Sequence, residues 1–184
     1  DTYLIWKLTN GKKHLTDVTA DKVNAFLKQR SKSDQPFCLT LCFNAPHAQD
    51  DDPRQYIWPV RFDEHYEEST IPEPRNSDQN FFKGQPNFLK NSLGRERWRW
   101  RFNTPEKFQR MMKGMYRMVT GVDDAVGRLR DQLEKLDLRE NTVIIYSSDN
   151  GMFFGERGLS DCWLLYEESI RVPLIVFDPR KKTK

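Results

Sequence analysis

The chain has 184 residues, of which 37% are hydrophobic and 31% charged, with a formal net charge of +3. That length suffices for one domain with a real core. No apolar run is long enough to span a bilayer, and so small a net charge does not by itself argue for nucleic acid. The chain opens at Asp1 without a signal peptide, as expected of a processed chain or an excised fragment. Of its three cysteines, Cys38 and Cys42 fall on one expected strand. About 13 Å apart at the usual rise, they are too distant to bridge, so cysteine usage leaves the compartment open.

Asp1–Lys13 alternates apolar residues (Leu4, Trp6, Leu8) and turns at Asn10-Gly11. A helix is expected from Thr16 or Thr19, either of which can cap it, to about Arg30, with Val23, Phe26 and Leu27 at helical spacing. Phe37–Phe43 reads as a buried strand that ends in Asn44-Ala-Pro-His47. Residues 48–103 are polar and proline-rich with no sustained period, and read as a long surface excursion facing substrate. Within it, Asp50-Asp51-Asp52 reads as solvated surface. The stretch Arg95-Glu-Arg-Trp-Arg-Trp-Arg-Phe102 alternates arginines with aromatics. As a strand it puts four arginines on one face and the aromatics on the other. That suits either an amphipathic sheet edge or a surface for an anionic polymer.

Thr104-Pro105-Glu106 is a strong helix start. The apolar positions from Phe108 to Leu136 recur at spacings of three and four, predicting one long amphipathic helix. Gly114, Gly121 and Ala125 flank that stripe and suggest close packing. Val143–Tyr146 is a β-branched run of the kind buried on both faces of a parallel sheet. It stops at Ser147-Ser148-Asp149-Asn150-Gly151. Arg171–Phe177 is a third strand, with Pro173 near its entry. The three strands are expected in one sheet covered by the long helix.

In open α/β sheets, ligands bind beyond the carboxyl ends of the strands. Asp149 and Asn150 offer hard oxygen ligands to a cation such as calcium, and Gly151 lets the backbone turn beside them. An ordinary Asx-Gly turn is the bland alternative. His47, at the end of another strand, has a hydrogen bond to donate to an anion. The residues thus suggest a metal-and-anion site on an α/β scaffold, with no nucleophile.

Several motifs together resemble the catalytic domain of sulfatases. They are Tyr146-Ser-Ser-Asp-Asn-Gly151, Gly155-Glu-Arg-Gly-Leu159 and Trp163-Leu-Leu-Tyr-Glu-Glu-Ser-Ile-Arg-Val-Pro-Leu174. Earlier pieces follow the same order: His14-Leu-Thr-Asp17, Phe43-Asn-Ala-Pro-His47, Trp98–Phe102, Thr104–Glu106 and Met115–Asp123. The resemblance covers nearly the whole chain. It implies an α/β, alkaline-phosphatase-like sheet flanked by helices and incomplete at its amino-terminal side, with residues 1–184 a partial catalytic domain. It also implies hydrolysis of sulfate esters with bound calcium, Asp149 and Asn150 as metal ligands, and His47 contacting the sulfate. The expected substrate is a sulfated small molecule or sulfated glycan. A periplasmic or secreted location is expected, with no nucleic-acid or membrane partner, and self-association through an exposed sheet edge.

Two departures from the family pattern stand out. The Cys/Ser-x-Pro-Ser-Arg motif whose first residue becomes the formylglycine nucleophile is absent, so the chain alone is expected to be inactive. The family's usual sulfate-binding lysine corresponds to Cys162, where a neutral thiol lacks the fixed charge. Arg157 is the nearby candidate to compensate. The alternatives are a phosphoester hydrolase of the same superfamily and a non-catalytic module binding sulfated glycan through Arg95–Arg101.

Overall fold

The computed structural model describes residues 13–181. The expected alternation and turn of the first twelve residues therefore lie outside the described part. The chain divides into two units. The first comprises Asp1–His65, Gly114–Ile144 and Phe177–Lys184, and the second Tyr66–Lys113 and Ile145–Val176.

The first unit is built on helix α1, Leu15–Arg30. The cap is His14 rather than either threonine: its Nδ1 accepts from the Thr16 amide at 3.2 Å. Its Nε2 also lies 2.9 Å from the Ile57 carbonyl. Val23 and Leu27 of α1 bury against Leu133, with Phe26, Phe37, Leu41, Leu129, Leu136 and Ile144 packed around them. Phe37–Phe43 forms no strand. Its side chains Phe37 and Leu41 dock on this cluster, so apolar packing holds the segment without a sheet ladder.

The long helix, Pro105–Lys135, is present as expected. Thr104 starts it, with the Lys107 amide donating to Oγ1 at 3.3 Å and the Phe108 amide to the Thr104 carbonyl at 2.9 Å. Two of its three glycines, Gly114 and Gly121, serve close approach. A methyl group on Gly114 would meet the Trp58 ring at 2.9 Å, and one on Gly121 would meet Pro59 at 3.2 Å. Residues 114–135 of this helix belong to the first unit and 105–113 to the second.

The second unit carries three short helices before the long one: α2 Gln79–Lys83, α3 Asn87–Lys90 and α4 Leu93–Arg101. The long helix is therefore α5, and Glu167–Ile170 is α6. The expected structureless excursion thus contains helices. It also buries Tyr56 and Phe62 in the first unit, and Ile71, Leu89 and Trp98 in the second. The arginine–aromatic stretch is helical, not a strand. Ser92 caps it by accepting from the Arg95 amide at 3.2 Å, and arginine favours helix over strand. The resulting period buries Arg95, Trp98 and Arg101 together and exposes Trp100.

Among the described residues there are four strands: β1 Ile144–Ser147, β2 Phe153–Phe154, β3 Ser160–Asp161 and β4 Leu174–Phe177. β1 pairs with β4, and β2 pairs with β3 antiparallel, Phe153 opposite Asp161. Two of the three expected strands therefore share a sheet and the third does not. The paired strands are not buried on both faces: Ile145 is 65% exposed and Leu174 69%. No helix among the described residues is long and apolar enough to cross a membrane.

Candidate active site

Asp149 and Asn150 follow β1 after one intervening residue, Ser148, and both are exposed. Asp149 Oδ1 accepts from the Asn150 amide at 3.0 Å and from Ser148 Oγ at 3.4 Å. Asn150 Nδ2 donates to the Gly151 carbonyl at 2.7 Å. Gly151 has a reason other than the expected turn, since its φ is not left-handed. A methyl group there would collide with the Glu168 carbonyl oxygen and stand 2.8 Å from that of Arg171. The Gly151 amide donates to the Ser169 carbonyl at 2.7 Å. The glycine therefore lets the segment after β1 lie against the backbone of α6, fixing the two oxygen-bearing side chains before it.

His47 belongs to the other unit, in the turn after Ala45-Pro46. It is exposed, and its Nδ1 stands 2.6 Å from the Ala48 carbonyl.

Around Cys162 the second unit is densely charged. Asp161, with a left-handed φ of 76°, sits in β3. Arg101 Nη1 reaches its Oδ1 at 2.9 Å and Arg97 Nη1 at 3.1 Å. Arg101 is fully buried and also donates to Ser160 Oγ at 3.1 Å. Arg95 is buried between the rings of Phe82 and Trp98, with its Cζ 3.6 and 3.8 Å from the ring centroids. It donates to the Gly158 carbonyl at 2.8 Å, and Gly158, at φ +70°, makes room where a Cβ would stand 2.7 Å from Nη1. Burial and the Arg99 charge hold the Arg95 guanidinium down to about 10. The expected face of four exposed arginines does not form, because Arg95 and Arg101 are interior.

Burial pushes the Cys162 thiol up, as do the charges of Asp161 and Asp149, while Arg97 pulls it the other way. It is a neutral thiol at neutral pH, next to Asp149's field. The cation acting on it is Arg97, not Arg157. Arg157 pairs with Glu168 at 3.6 Å and stacks over the Tyr166 ring. The role of Arg97 was hidden in the sequence by the strand reading; the i, i+4 spacing of Arg97 and Arg101 is the signal that would have shown it.

A second charge cluster lies in the first unit. Asp17 accepts from Arg61 at 2.8 and 2.9 Å and from Arg128 at 2.6 Å, and Asp124 joins both arginines. Burial alone would raise the Asp17 carboxyl, but the bonds from Arg61 and Arg128 hold it below its ordinary value. With its bonding so satisfied, this cluster is a structural brace.

Asp149 and Asn150 supply hard oxygens of the kind calcium takes, though fewer than its usual six to eight. Among the described residues no group of three or more His, Cys, Asp or Glu is placed to hold a metal. The donor chemistry of the pair fits calcium.

The fold matches the alkaline-phosphatase-like class. One similar structure, a complex with "its substrate D-Glucosamine-2-N, 6-O-disulfate", gives a TM-score of 0.69 at 25% identity, covering 91% of this chain and 43% of that one. A phosphonate monoester hydrolase from Silicibacter pomeroyi gives a TM-score of 0.73 at 21% identity, over 91% of this chain and 33% of that one. The sulfatase family model matches residues 2–184, and the chain belongs to the sulfatase family. An arylsulfatase of Clostridium perfringens is 26% identical over 172 residues, covering 90% of this chain and 32% of that protein. An N-acetylglucosamine-6-O-sulfatase of Bacteroides thetaiotaomicron is 43% identical over 74 residues, covering 40% and 13%. The chain thus spans about a third or less of these curated relatives.

Proposed function

We propose that this chain is part of a sulfuric ester hydrolase, cleaving the sulfate ester of a sulfated sugar or other small sulfated molecule. The observation that carries the reading is the family match along nearly the whole chain, joined to the exposed Asp149–Asn150 pair beyond β1. Asp149 and Asn150 would hold calcium by their side-chain oxygens, and His47 would donate a hydrogen bond to a sulfate oxygen. Bound calcium supplies positive charge to oxygens that become more negative in the transition state. The backbone contact of Gly151 with Ser169 keeps the ligand pair in place. No residue of the 184 fits the formylglycine motif, so the covalent step needs a nucleophile this sequence does not contain, and the chain alone does not turn over sulfate esters.

The test compares aryl sulfate with aryl phosphate hydrolysis by the full-length protein carrying these residues. The reading expects preference for the sulfate, and a loss of about 100-fold or more in kcat for D149A. Preference for the phosphate, or an unchanged rate in D149A, contradicts it. The glycan-binding module finds no support in α4, where Arg95 and Arg101 are interior.

A further inference from the structure

We infer that Asn76 is a positioning residue for the Asp149–Asn150 pair, acting through the side chain of Glu168. The inference rests on the proposed reading of that pair as calcium ligands and names the residue that holds their support. All the residues involved belong to the second unit. The support is α6: Gly151 lies against the Glu168 carbonyl, and its amide donates to the Ser169 carbonyl at 2.7 Å. α6 has four residues, and Tyr166 before it supplies no side-chain cap. A helix so short does not hold itself in water. Its place must come from contacts with other parts of the chain.

Asn76 makes two such contacts, one from its side chain and one from its backbone. Its Nδ2 donates to Glu168 Oε1 at 3.1 Å. Its carbonyl accepts from the Arg157 amide at 2.8 Å. One residue thus ties α6 to the segment that carries Arg157. Asn76 is itself seated in a turn, closed by the Ser77 amide on the Pro74 carbonyl at 3.0 Å. Arg157 adds less to the Glu168 carboxylate. Its Nε stands 3.6 Å from Oε1, beyond hydrogen-bond length, and its guanidinium stacks over the Tyr166 ring. The Glu168 side chain is only 18% exposed, so water does not fully replace a lost partner. Glu168 therefore carries the tie to Asn76 in its side chain and the seat for Gly151 in its backbone. A Glu168 that comes loose moves the carbonyl against which Gly151 lies, and Asn150 is the next residue along.

The test is a calcium titration followed at the Asn150 side-chain amide, in the unsubstituted chain and in N76A, E168A, E168Q and the double variant N76A/E168A. N76A and E168A should each raise the calcium midpoint about tenfold, as loss of a group that orients metal ligands does. The double variant should be no weaker than E168A, since both substitutions break one route. E168Q keeps an oxygen for Asn76 and loses only the charge facing Arg157, so its midpoint should stay within about twofold of the unsubstituted chain. One readout needs no variant to fold: in the unsubstituted chain, calcium should slow hydrogen exchange of the Asn76 side-chain amide, because coupling between the two places is reciprocal. Four results overturn the positioning role and leave the metal reading standing. They are an unmoved midpoint in N76A, a double variant weakened by the product of the single effects, E168Q as weak as E168A, and an Asn76 amide indifferent to calcium. An unsubstituted chain whose Asn150 amide ignores calcium overturns the metal reading, and the positioning role with it.

Discussion

Gly151 shows how much one residue decides in this chain. A methyl group there strikes the backbone of α6, so G151A should displace the Asp149–Asn150 segment. Overpacking of this kind costs about 1–3 kcal/mol, to be read as a lower urea midpoint together with shifted Asn150 side-chain signals. Asp17 gives a pH prediction. Its carboxyl lies below its ordinary value in the folded chain. The stability it contributes is therefore full above an unfolded value of about 3.9 and is lost as pH falls through the lower, folded one. D17N should remove that part of the acid dependence. At neutral pH it should cost about 1–3 kcal/mol, less than for a fully buried pair because Arg61 and Arg128 reach solvent. An unaltered acid limb in D17N would count against the brace. The sequence singles out Asp149 and Asn150 as candidates through their place after an apolar run. It did not show why Gly151 follows, because the carbonyls it must admit come from residues 168 and 171.

At the scale of elements, α5 was legible and α4 was not. α5 repeats its apolar positions over 31 residues, and only one period fits. In α4 the arginines fall at every second position and also at i, i+4, so both periods fit nine residues equally well. Tertiary pairing with Asp161 settles the matter, and that partner lies 60 positions away from Arg101. Phe37–Phe43 failed as a strand for a related reason: an apolar run predicts burial, but a ladder needs a neighbour. The Arg101–Asp161 pair yields a direct prediction. D161N removes a counter-charge from the fully buried Arg101, which costs about 3 kcal/mol. In hydrogen exchange, protection should fall first at α4, β2 and β3. Loss spread evenly over α1 and α5 instead would show that the pair does not act on its own unit.

For the whole molecule, the exposed apolar side chains of β1 and β4 carry the main consequence. Ile145, Leu174, Ile175 and Val176 all face solvent, and exposed strand surface of this kind pairs with other chains. Sedimentation should show the chain self-associating as its concentration rises, and a monomer throughout would contradict that expectation. Aryl sulfate should remain intact in its presence, since no nucleophile is available. The central claim is that Asp149 and Asn150 are metal ligands and not an ordinary turn. The most direct measurement is a calcium titration of the chain followed at the Asn150 side-chain amide, alongside D149N. The account predicts a shift with a midpoint of about a millimolar or weaker, as befits a partial ligand set, and its loss in D149N. A motionless Asn150 amide, or the same shift in D149N, would contradict it.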